Sequence, residues 1–286
     1  MVSLRFILVK IAILWLIACS SLVERSAREA EGYGFRIVAL SGLDFEHRVY
    51  RNHHLVGSQG ATLHVYLEGD GSPWLRTGVI ARDPTARAPM MLKLMATDSM
   101  PSLYLGRPCY HGYFSSPPCH PDLWTGARYS EVVVASMAEV LGQIIVAENI
   151  QSLVFFGFSG GGALAVLLAE RFVETLAVVT IAGNLDTVAW AEMHNYTMLE
   201  GSLNPASRIV LEPGISQLHI IGRLDTNIKA SFVDAFASKQ SNSELVVIDG
   251  FDHSCCWDAI WAEVLIWSRV VENSQGRSKD SFRLKH

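Results

Sequence analysis

The chain has 286 residues, 50% of them hydrophobic, and a formal charge of −5 at neutral pH. That much apolar side chain fills a sizeable core in one large domain or two small ones, which excludes a mostly disordered protein. The acidic balance and the lack of any dense Lys/Arg run argue against a nucleic-acid partner, because phosphate binding needs clustered positive charge.

In chain order, the first segment is MVSLRFILVKIAILWLIACSS. Arg5 and Lys10 precede an apolar run over 11–18 that is too short to cross a bilayer, as in a secretory signal. Leu16, Ile17, Ala18 and Cys19 resemble the bacterial lipobox. The resemblance implies removal of residues 1–18 as a signal peptide, acylation of Cys19, and a protein anchored by lipid to a membrane of the bacterial cell envelope. Ser20 resembles the residue found after the cysteine in lipoproteins sorted to the outer membrane. Residues 19–34 are polar and read as a tether, followed by a domain over 35–271 and a flexible polar tail over 272–286.

Within the domain, FRIVAL, EHRVYR and TLHVYLEG read as strands, PMMLKLMAT as a helix and SLYLG as a strand. The second half alternates more regularly. A helix over 131–147 precedes the strand SLVFF, a helix over 161–172 precedes LAVVTIAG, QLHIIG precedes a helix over 227–238, and ELVVID precedes a last helix over 257–271. This alternation predicts an α/β fold with a mainly parallel, doubly wound sheet, helices on both faces and an antiparallel N-terminal edge. Two irregular stretches, 107–127 and 183–206, are too long for plain connections and read as small lid-like insertions or pocket walls.

Secretion places the remaining cysteines in an oxidising compartment. Cys109 and Cys119 bracket the turn-rich YHGYFSSPP and are expected to form a disulfide, while Cys255 and Cys256 are left open. A zinc site on Cys109, His111, Cys119 and His120 is the weaker alternative, so no metal is expected.

Chemistry concentrates at SLVFFGFSGGGALAVLL, where a buried strand runs into a helix through Gly157, Ser159 and Gly161. Small residues two positions either side of a serine suit a sharp strand-to-helix turn that lifts the hydroxyl clear of the backbone; the plainer alternative is a serine that caps the helix. A serine hydroxyl needs a base, and the base an orienting carboxylate. His253 follows the last strand. Asp225, after the strand before it, ranks first as the carboxylate, ahead of Asp186 and Asp252.

The order Ser159, Asp225, His253 after successive strands resembles the α/β-hydrolase superfamily over about residues 35–270. VYLEGDGSPW, GRPCYHGYF, LWTGARYSEVVVASM and GFSGGG are similar to segments of a group of largely uncharacterised bacterial hydrolases, many of them secreted or lipid-anchored. The resemblance implies a serine hydrolase with a Ser159–His253–Asp225 triad, an acyl-enzyme, no cofactor, and a small-molecule or lipid ester or thioester as substrate. It also implies an oxyanion hole from the amide of Gly160 and that of Asp70 or Gly71, although Glu68 and Gly69 stand where the superfamily often has His-Gly. Asp70 then has to turn its carboxylate away, onto Ser72 or Trp74. The rival readings are an inactive envelope binding module, or a peptidase or haloperoxidase-like use of the same triad.

Arg107 and Arg128 flank the cysteine loop and WTGARY, from Trp124 to Tyr129, leads into the long helix, so these residues read as lining an entrance; Arg128 reads as a structural ion pair or a cap on neighbouring carbonyls ahead of a ligand for a substrate carboxylate or phosphate. Trp257, Trp261 and Trp267 read as core. There is no HExxH or EF-hand spacing, and FSGGGALA lacks the lysine of a P-loop and the leading glycines of a dinucleotide fingerprint.

Overall fold

Strands with apolar residues on both faces belong inside a parallel sheet covered on both sides. A computed structural model, which describes residues 22–274 except 56 and 209, places them there. Its main sheet has eight strands, in the order β1 (Arg36–Ser41), β2 (Glu46–Arg51), β6 (Ser102–Leu105), β3 (Thr62–Leu67), β7 (Ser152–Phe158), β8 (Thr175–Ile181), β9 (Ser216–Gly222) and β10 (Ser243–Ile248). From β6 to β10 all neighbours are parallel, whereas β2 pairs antiparallel with both β1 and β6, the expected antiparallel edge. Every residue of central β8 is buried, while edge strand β1 is half exposed. β4 (Trp74–Arg76) and β5 (Val79–Ile80) form a separate hairpin after β3.

The flanking helices are α1 (Leu22–Gly32), α2 (Met90–Met95), α3 (Glu131–Glu148), α4 (Gly160–Ala169), α5 (Thr187–His194), α6 (Pro205–Arg208), α7 (Ala230–Ala237) and α8 (Trp261–Ser274). Local chemistry sets their limits. Ser130 accepts from the amide of Val133 at the start of α3, and Asn149 ends it in the left-handed conformation. α4 is buried along its whole length. α7 begins at Ala230 rather than at 227 because the Asp225 carboxylate draws the amides of Asn227 and Ile228 into a turn first.

The signal segment and Cys19 lie outside the described residues. The tether requires correction, because residues 22–32 form α1, with Ser26 and fully buried Ala30 facing the domain. Small residues at spacing four let that helix lie close, so the ordered chain begins before Phe35. At the other end α8 runs on to Ser274, three residues beyond the expected limit.

Glu272 near that end joins a buried knot. His64 on β3 donates from Nδ1 to Asp98 at 2.6 Å and from Nε2 to Glu272 at 2.9 Å, and the Tyr66 hydroxyl also donates to Asp98 at 2.7 Å. Burial alone would lower the His64 pKa, but its bonds to the two carboxylates outweigh that and push it up to about 9. A raised pKa contributes stability that is complete below the ordinary histidine value and lost as pH rises through about 9. The melting temperature is therefore expected to fall between pH 7 and pH 10, and His64→Gln to flatten that dependence. Calorimetry across that range checks this; an equal slope in the variant would remove His64 as its cause.

Candidate active site

β3 is where the sheet reverses its order, with β6 on one side and β7 on the other, and in such sheets ligands gather beyond the carboxyl ends of the strands at that point, here β3 and β7. Leu67 pairs with Gly157, and the segments leaving both strands start side by side. After β7 the chain turns at Ser159, whose φ of 52° and ψ of −119° are strained for a residue with a side chain, and enters α4 at the next position. Only glycine fits around this turn. A Cβ on Gly157 would strike the carbonyl of Gly161, and one on Gly161 the carbonyl of Leu67.

Ser159 does not cap α4 with its side chain. Its Oγ lies 3.1 Å from Nε2 of His253, in the loop after β10, and Nδ1 of that ring lies 2.8 Å from Oδ2 of Asp225, in the loop after β9. The Asp225 side chain is fully buried, and its other oxygen accepts from the amides of Asn227 and Ile228, both at 2.8 Å. Three donors thus fix the carboxylate. The His253 backbone is fixed by the Trp257 indole, which donates to its carbonyl at 3.1 Å, and the imidazole is flanked by the Phe158 ring at 5.1 Å.

The structure gives the alternative carboxylates other partners. Asp186 caps α5, accepting from the amides of Val188 and Ala189, and also accepts from Asn204. Asp252 accepts from the amides of Ser254 and Cys255 within its own turn. Among the described residues, the amides of Gly160, Asp70 and Gly71 donate to no protein acceptor, and all three lie just beyond the carboxyl ends of β3 and β7.

The chain matches no protein-family model and no curated protein in sequence. Solved structures do resemble it. The Pyrococcus furiosus esterase Pf2001 is 14% identical, with 86% of this chain and 94% of that one covered at a TM-score of 0.58. The Acinetobacter baumannii AYE protein lip1 is 15% identical over 90% of this chain and 98% of its own, at a TM-score of 0.59. A Mycobacterium tuberculosis puromycin-hydrolyzing peptidase is 15% identical over 87% of this chain but 41% of its own, at a TM-score of 0.55. This chain has the α/β-hydrolase fold.

Within that fold the residue most at odds with its place is Asp70. Its carboxylate does not turn onto Ser72 or Trp74 as expected from sequence. It accepts from Arg107 at 2.8 Å, Arg128 at 2.8 Å and the Tyr129 hydroxyl at 2.7 Å, while the Tyr110 hydroxyl donates to its backbone carbonyl at 3.0 Å. Ser72 and Trp74 are the near neighbours in sequence, but two guanidinium groups compensate a buried anion far better than a hydroxyl or an indole. Burial would raise the Asp70 pKa, but the charges of Arg128 and Arg107, with the Tyr129 bond, bring it down to about 2. The carboxylate sits against Gly160, where a Cβ would strike it, so the cluster places two positive charges against one negative charge beside that amide.

The first insertion packs against the loop after β3. Its Arg107, Cys109, Tyr110 and Trp124 are buried behind the Asp70 loop, and Cys109 is joined to Cys119 by a disulfide. That bond removes the zinc alternative, whose His120 lies on the surface beside Asp122. Cys255 and Cys256 are joined to each other. Glu68 takes the amides of Gly69 and Met91, so that it caps the start of α2, and burial pushes its pKa up to about 7. The three tryptophans are core.

Sequence reasoning missed Asn227, and it placed Tyr129 at the entrance rather than on the Asp70 carboxylate. The Asn227 amide lies 3.0 Å from His253 Nε2, and the only signal was its place two residues after Asp225.

Asp70→Ala leaves two guanidinium groups buried without their carboxylate and is expected to destabilise the fold by about 3–5 kcal/mol. Urea unfolding measures this; a loss below about 1 kcal/mol would place the cluster among ordinary surface pairs.

Proposed function

We propose that the protein is a serine hydrolase that cleaves an acyl ester or thioester through a covalent acyl-enzyme. The observation that carries this is the hydrogen-bonded series from Ser159 Oγ to His253 Nε2 and from His253 Nδ1 to Asp225, at 3.1 and 2.8 Å. A strained turn that holds a serine hydroxyl clear of its own helix has a use in nucleophilic attack and none in a passive scaffold. The esterase Pf2001 among the similar structures agrees with this reading without fixing the substrate.

In the proposed reaction the Oγ–H proton passes to Nε2 as an Oγ lone pair forms a bond to the acyl carbon, and the carbonyl π pair moves onto oxygen. The Gly160 amide and that of Asp70 or Gly71 donate to this oxyanion, and the surplus positive charge of the Arg107–Arg128–Asp70 cluster favours it. Collapse restores the carbonyl, breaks the bond to the leaving group and transfers the Nε2 proton to it. Water then repeats the cycle on the acyl-enzyme, with His253 taking one proton from the water and returning it to Oγ. Asp225 keeps the ring in the tautomer that both halves need.

We place the enzyme at the bacterial cell envelope, held by lipid on Cys19; the signal-like run and lipobox pattern of residues 1–19 support this. Growth on an alkyne-tagged fatty acid is expected to label the wild-type chain and not Cys19→Ser, and equal labelling would remove the anchor.

Hydrolysis of p-nitrophenyl esters of graded chain length tests the activity and ranks the acyl group. Ser159→Ala and His253→Ala are expected to lower kcat by 10³-fold or more, and Asp225→Asn by about 10⁴-fold, with KM little changed. Unchanged rates in Ser159→Ala would overturn the proposal.

A further inference from the structure

We propose that Asn227 is a positioning residue: its side-chain amide, oriented by Trp190, keeps Nε2 of His253 free of a proton between turnovers and directs the proton gained during the reaction toward the leaving group. This rests on the serine-hydrolase reading above and adds to it a residue outside the triad.

The inference follows from donor and acceptor chemistry. The Asn227 side chain lies between two rings. Its Oδ1 is 3.2 Å from Nε1 of Trp190 on α5, and its Nδ2 is 3.0 Å from Nε2 of His253. An indole N–H only donates, so the amide oxygen belongs on the Trp190 side and the NH2 group must face the imidazole. The Asn227 backbone is fixed as well, since its amide donates to Asp225 at 2.8 Å and its carbonyl accepts from His194 Nε2 at 2.9 Å. Trp190 is itself held under the Arg128 guanidinium, 5.9 Å from the ring centre, and packed against His194 and Tyr196.

The proton positions on His253 follow. Asp225 already takes two amides and can only accept from Nδ1, so Nδ1 carries a hydrogen. Nε2 is then a single acceptor shared by the Ser159 hydroxyl at 3.1 Å and the Asn227 amide at 3.0 Å. A hydrogen on Nε2 would meet the amide N–H head on, since an amide nitrogen offers no acceptor. The imidazolium formed when Ser159 attacks therefore has Oγ and the departing group as its only outlets, and returns to the neutral ring once the proton has left.

The titratable groups facing the ring are Asp225 from the loop after β9, Asp252 on its own loop and, through the Asn227 carbonyl, His194 on α5; Phe158 and Ser159 face it from β7 and the turn. Asp225 accepts from the ring at Nδ1, and Asn227 can only donate to it at Nε2. A carboxylate at 227 would remove that donor and add attraction, while Trp190→Phe would free the amide to turn its oxygen toward Nε2.

The test is a pH titration of the His253 ring by ¹⁵N NMR on the full chain in detergent, with its signals assigned by their loss in His253→Gln. The titration midpoint is expected to rise by about half to one pH unit in Asn227→Ala, the range set by one net hydrogen bond to the neutral ring. It should rise further in Asn227→Asp and also rise in Trp190→Phe, with the acidic limb of kcat/KM on a p-nitrophenyl ester moving in step. A midpoint that stays at the wild-type value in all three variants, each with a wild-type melting curve, would overturn the proposal. A wild-type chain inert toward the ester, with the ring midpoints moving as stated, would overturn the hydrolase reading alone.

Discussion

How closely the first turn of α4 lies against the ends of β3 and β7 governs everything else at the carboxyl edge of the sheet. Gly157 and Gly161 have no room for a Cβ because the carbonyls of Gly161 and Leu67 occupy that space. The approach bends the backbone at Ser159 into a conformation that a longer connection would relax, and it sets the amide of Gly160 beside the loop that leaves β3. Burial of α4 along its whole length supplies the packing that offsets the strain.

The same closeness creates an electrostatic difficulty that the rest of the site answers. A carboxylate against Gly160 would repel a developing oxyanion, yet Asp70 is held there by Arg107, Arg128 and Tyr129. Both guanidinium groups are buried and offset the carboxylate's charge, and the cluster ties the loop after β3 to the first insertion and the start of α3. Across the site, Asn227 and Asp225 act on opposite nitrogens of His253, one by donating and one by accepting. In the proposed reaction the two sides divide the chemistry between them, one toward the oxyanion and the other toward the proton.

Much of this was legible in the sequence. The interior strands announced themselves because runs such as SLVFF and LAVVTI are apolar on both faces, and only a sheet covered on both sides can use such runs. Ser159, Asp225 and His253 could be placed because each follows a strand directly, so that topology alone carries them to one edge. The partners of Asp70 were hidden. They lie 37 to 59 residues along the chain, and nothing local distinguishes an arginine that reaches a buried carboxylate from one on the surface. α1 shows no helical pattern in the sequence because its inward face is made of Ser26 and Ala30, too small to form an apolar stripe. Asn227 escaped notice because its amide gains direction only from Trp190, on a helix of the second insertion whose position the sequence did not give.

Covalent trapping asks whether Ser159 is a nucleophile activated by His253. Intact-mass analysis after exposure to a fluorophosphonate, followed by peptide mapping, should show a single adduct on Ser159 that forms far more slowly in His253→Ala. A chain that stays unmodified, or one that is modified equally fast without the histidine, would contradict the account.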